Sequence, residues 1–157
     1  MCTSFMEELM VGEHQLGTAT LVSRTSLTSP TTDTLKAALY LSSATINAST
    51  TAYSASNEVS GTGYTAGGIT VTNATAPAYT NTSATAGVAY WTPSASLIYT
   101  TVTLGTAFDC VLLYNSTQSN KAISVHTFGS QTITAGTFTL TMPANTTAAA
   151  LIRLATT

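Results

Sequence analysis

The sequence predicts an all-β domain: a single β-sandwich of jelly-roll or immunoglobulin-like type, preceded by a short N-terminal helix and arm. Three observations carry this. From Thr34 onward apolar residues recur at a period of two, as in Leu35, Ala37, Leu39 and Leu41. Gly-rich breaks at Gly61-Thr62-Gly63, Gly67-Gly68, Gly87, Gly105, Gly129 and Gly136 divide the chain into short runs. Thr and Ser together make up close to a third of the residues, and β-branched Thr suits the solvated face of a sheet. With 157 residues, there is material for one core and not for two ordinary ones. The chain therefore divides into a helix and arm over residues 1–33 and a β-sandwich over 34–157.

Phe5, Leu9 and Val11 recur at helical spacing, with Glu7 and Glu8 in the first turn and Thr3 or Ser4 as candidate cap. Gly12 ends this helix of about two turns, which is too short to be stable alone and must dock, either on its own domain or on a neighbouring subunit. Residues 17–33 are polar, run into Ser29-Pro30-Thr31, and read as a linker or edge segment. Strands are expected at 35–41, Ile69-Thr70-Val71, 88–91, 97–103, 109–114, 122–127, 137–142 and 149–154. Cys110-Val111-Leu112-Leu113-Tyr114 is apolar throughout, the mark of a central strand covered on both sides. The Ala/Ser/Thr stretches at 42–56 and 73–86 lack periodicity and read as loops, or as segments ordered against a partner.

Only 6% of the residues are charged, against about 25% in ordinary soluble domains. Net charge is −2, and the four cations, Arg24, Lys36, Lys121 and Arg153, are scattered. No basic stripe exists for phosphates, which argues against nucleic-acid binding. No apolar run reaches bilayer length. The opening residues carry acids where a secretory signal carries cations, so synthesis in a cytoplasm is expected. Cys2 and Cys110 are expected to be free thiols.

Groups for catalysis are sparse. His14 and His126 are isolated in sequence, and neither cysteine has the paired spacing of a zinc site. No acid/base pair of carboxylates and no Gly-x-Ser-x-Gly elbow is discernible. The run from Gly61 to Gly68 superficially resembles a phosphate loop but lacks the Lys-Ser/Thr ending, so turn glycines at positive φ account for it better. Tyr53, Tyr64, Tyr79, Tyr90, Trp91 and Tyr99 admit two readings: a platform for stacking sugars, or large rigid fillers of strands and interfaces, which is the reading favoured. No enzyme, cofactor or metal is expected.

Several segments nevertheless match a known pattern. Thr32-Asp33-Thr34-Leu35-Lys36-Ala37-Ala38-Leu39-Tyr40 is followed by Glu58-Val59-Ser60-Gly61-Thr62-Gly63-Tyr64-Thr65-Ala66-Gly67-Gly68. Later come Leu113-Tyr114-Asn115-Ser116, Lys121-Ala122-Ile123-Ser124-Val125, Gly136-Thr137-Phe138-Thr139-Leu140 and Leu151-Ile152-Arg153-Leu154-Ala155. Together with the opening Met1-Cys2-Thr3-Ser4-Phe5, these resemble a family of small virion structural proteins of tailed bacteriophages, described as head decoration, head fibre, neck or tail proteins. The chain departs from that pattern between Val71 and Trp91, where Thr, Ala and Asn replace an acidic segment.

The resemblance implies a structural role in the virion, assembled in the bacterial host cytoplasm. The leading expectation is a capsid decoration or cement protein. Its partners would be the major capsid protein, neighbouring copies of itself in a homo-oligomer, or both, with no nucleic acid or membrane. A head-fibre, neck or tail component and a carbohydrate-binding adhesin module are the alternatives. Phe5, Met6, Leu9, Leu16, Tyr64, Tyr90 and Trp91 are the candidate interface residues.

Overall fold

The computed structural model describes residues 1–5, 9, 14, 16–17, 32–83 and 86–155. Among them run seven strands: β1 (Leu35–Leu41), β2 (Ile69–Thr70), β3 (Ala78–Ser83), β4 (Ala86–Trp91), β5 (Leu97–Asn115), β6 (Lys121–Leu140) and β7 (Ile152–Ala155). They form two antiparallel sheets, one ordered β2-β1-β5-β6 and the other β3-β4-β7. The expected all-β class holds.

The core gathers where β5 has neighbours on both sides. β1 pairs along Phe108 to Asn115 while β6 pairs along the opposite edge, and Cys110 to Tyr114 are all buried, as their unbroken apolar run predicts. Trp91 of β4 and Ile152 of β7 join the same hydrophobic cluster, so the two sheets share one core.

Three expectations change. The runs at 97–103 and 109–114 form the single strand β5, and those at 122–127 and 137–142 lie along β6, which ends at Leu140. Gly105, Gly129 and Gly136, expected as breaks, lie inside these strands. Irregularities in the β5–β6 ladder, such as those between Leu104 and Phe108 and between Phe108 and Cys110, shift the register without ending the pairing. The stretch 73–86, expected as loop, contains β3. Among the described residues this edge strand pairs only with β4, and with Tyr79 78% exposed and Ala78 and Thr80 half-buried, backbone bonding forms it where its sequence shows no core-facing alternation.

The 42–56 stretch does lack strands, yet it is tied to its own domain. Ser42 N donates to Ala107 O, Tyr53 N to Asn120 O and Ala122 N to Thr51 O, each within 3.0 Å. At the N-terminus, Thr3 to Phe5 and Leu9 are helical. The rest of the expected helix, including Met6, and most of the arm lie outside the described residues. Cys2 N donates to Ile123 O at the β6 edge, and Cys2, Phe5 and Leu16 are buried in the core. Phe5 is thus corrected from a candidate interface residue to a core residue: its ring is fully enclosed and lies 4.8 Å from the His14 ring. Cys2 and Cys110 are both buried.

A buried polar knot holds this N-terminal segment against β1 and the β5–β6 turn. Asn115, wholly buried, donates through Nδ2 to Asp33 Oδ2 at 2.6 Å and contacts His14 Nδ1 at 3.0 Å. Its Oδ1 accepts from the N–H groups of Thr117 and Gln118 in the hairpin turn. Asn73 completes the tie by donating to Asp33 O and accepting from Gly17 N. Each of these side-chain groups is met, as burial demands.

Candidate interaction site on the small sheet

The site is built from the register of three strands. Trp91 lies opposite Ile152, and Ala89 lies opposite both Leu154 and Tyr79, so these five residues share one face of the β3-β4-β7 sheet. Tyr90 and Arg153, opposite one another, point to the other face. The shared face is graded. Trp91 and Ile152 are buried, whereas the Tyr79–Ala89–Leu154 row is open, with Leu154 43% exposed.

Leu9, His14 and Leu16 from the N-terminal segment and Pro77 before β3 wall this face, enclosing with β4 and β7 a groove of about 220 Å³. The Trp91 indole is held by its Nε1–H, which donates to Thr75 O at 2.8 Å. The lining is mostly hydrocarbon, with His14 and Tyr90 as the residues that carry polar side chains. The groove has the shape and chemistry to receive apolar side chains, and among the described residues no charged side chains line it. No cluster of three or more His, Cys, Asp or Glu among the described residues is arranged to hold a metal.

Three of the seven candidate residues, Leu9, Leu16 and Trp91, meet at this groove, and Tyr90 borders it although its side chain is directed to the opposite face of the sheet. Met6 lies outside the described residues and Phe5 is in the core. Tyr64 sits elsewhere, at the Glu58 cluster that folds residues 53–68 onto β1. Glu58 Oε1 accepts from Tyr64 OH at 2.7 Å and from Gly67 N at 2.8 Å, while Oε2 accepts from Tyr53 OH at 2.6 Å. Tyr64 OH in turn accepts from Leu39 N at 3.0 Å. Gly68, at φ +69, lies so close to β1 that a Cβ would drive into the Ala37 carbonyl, which confirms the turn reading of that glycine.

The aromatics therefore form separate groups. Tyr53 stacks on Tyr114 at 4.7 Å and Tyr64 on Tyr99 at 6.0 Å, while Tyr79, Tyr90 and Trp91 belong to the small sheet. Burial raises the Tyr40 phenol to about 12. Burial first, and then the Glu58 carboxylate, hold Tyr64 and Tyr99 well above the ordinary phenol range. Burial likewise raises the Cys110 thiol to about 11, keeping it a protonated packing residue.

Sequence reasoning missed Pro77, Tyr79, Ile152 and Leu154 as parts of the site. The Ile152-Arg153-Leu154 alternation signals a strand, but which face is open depends on pairing with β4, some sixty residues earlier in the chain. No protein-family model, no curated protein and no solved structure matches the chain, so the reading of this site rests on its own geometry and on the sequence resemblance.

Proposed function

We propose that the chain is a non-enzymatic structural protein of a tailed-phage particle, a decoration protein bound to the major capsid protein lattice alongside copies of itself. One observation carries the reading. Among the described residues Arg153 is the only well-exposed charged side chain: Asp33 is buried, and Lys36, Glu58, Asp109 and Lys121 are half-buried. A protein that works as a solitary solute keeps its surface charged and mixed in sign. A shell component is covered by its neighbours and needs less of that coat. The segments resembling phage virion proteins, spread over nearly the whole chain, support the same reading, and the apolar face bearing Tyr79 and Leu154 supplies a surface for lattice contact. Contacts made by apolar burial and backbone pairing also escape screening by salt. The low exposed charge suits a head-fibre, neck or tail component as well, and imaging of the intact particle separates these positions.

The test is addition of purified protein to heads that lack it, followed by sedimentation. Saturable loading is expected, and it should persist at roughly 1 M salt, where charges are screened within about 3 Å. Loading abolished by that salt, or no loading on heads, necks or tails, would overturn the reading.

A further inference from the structure

We propose that the free edge of β7 accepts an extended strand from a partner chain, whose residues alternate apolar, acidic, apolar. This deepens the proposed function by naming what the small sheet takes from its neighbour. β7 closes the order β3-β4-β7 and pairs only with β4 among the described residues, so its outer backbone groups form a row with no ladder partner. Directly beside that edge, Ile152 and Leu154 line the groove with Trp91, Leu9 and Leu16. Between them Arg153, the one well-exposed charge of the described residues, points to the opposite face.

A strand added to β7 therefore meets two different surfaces at alternate positions. The partner residue level with Arg153 comes within cross-strand distance of the guanidinium, where a carboxylate is favoured and a cation opposed. Its two neighbours turn toward the hydrocarbon of the groove, where about 220 Å³ accommodates one large apolar side chain. Backbone bonds give the strand its affinity, and the groove and Arg153 give it register. A second copy of this chain is the less favoured occupant, since a strand pairing with its own twofold mate would place Arg153 close to its like-charged equivalent.

The single tryptophan of the chain, Trp91, reports on the groove directly. The full-length protein is titrated with the synthetic peptide Thr-Thr-Leu-Glu-Phe-Thr-Thr and with the same peptide carrying Lys for Glu. Amide exchange of residues 152–155 is followed in parallel. The acidic peptide is expected to change Trp91 emission saturably and slow exchange at the β7 amides. The Lys peptide should bind at least tenfold more weakly, and Arg153→Glu, at an exposed position, should reverse that order. Equal binding of the two peptides, no saturable change with either, or protection of β7 by self-association without peptide would each overturn the proposal. Heads that still load the protein while the peptides fail would reject this strand-addition mode and leave the structural role standing.

Discussion

Glu58 shows how few ions are needed when each is fully used. Its two oxygens take three donors, from Tyr53, Tyr64 and Gly67, and so fasten a long excursion to β1 that has little secondary structure of its own. Hydrogen bonds to a charged group are worth about 1.5–3 kcal/mol, and Tyr64→Phe removes one of these together with the bond from Leu39 N. A loss of that order is expected, read as a drop in melting temperature of about 2–4 °C per kcal/mol for a chain of this size. No change in melting temperature would mean that the cluster is ornamental. The same phenols give the fold an alkaline limit. Their folded-state pKa values lie above the unfolded value near 10, so the stabilisation is complete below about pH 10. It is lost as pH rises through the folded values, about 12 for Tyr40. Ultraviolet titration should therefore show tyrosinate from the buried phenols only as circular dichroism reports unfolding. Ionisation of all seven tyrosines near pH 10 with the fold intact would contradict this burial.

At the scale of elements, the N-terminal segment belongs to the domain it precedes. Phe5 is wholly enclosed and Cys2 bonds to the edge of β6. Phe5→Ala should cost about 3–5 kcal/mol, measured by denaturant unfolding, and removal of residues 1–16 should destabilise the β-domain severely. A truncated chain as stable as the full one would mean that this packing is incidental. Strands were legible where the sequence carries a pattern: apolar residues alternate in β1, although Ala38 and Tyr40 between them are buried as well, and the centre of β5 is apolar without interruption. β3 left no such trace, because an edge strand with an exposed Tyr79 is held by its backbone. The glycines of the long hairpin were misleading for the opposite reason, since a bulged ladder carries them within a strand as readily as a turn does. Of the site, Leu9, Leu16 and Trp91 were visible among the candidate interface residues, whereas Tyr90 faces the other side of the sheet. Leu154 and Tyr79 became part of it only through the pairing of β4 with strands distant in sequence.

For the molecule as a whole, the scarcity of charge and the placement of what charge remains point the same way. Most of the described ions sit half-buried or buried, and Arg153 is left exposed on β7, on the face opposite the apolar groove. The head-loading and peptide experiments interrogate that arrangement at two levels, the covered exterior and one edge of it. The paired strands β5 and β6 carry a mechanical consequence. At about 3.3 Å per residue, the 19 residues of β5 have an extended length of at most roughly 60 Å, shortened by the bulges along its ladder, and the chain enters from β4 and leaves toward β7 at the same end of the ribbon. Stretching along its length loads many interstrand bonds in parallel, whereas peeling at one end breaks them in succession. Under the proposed decoration role, such a beam would resist a strained shell best when lying along its wall, so its orientation there would govern how much toughness each copy lends.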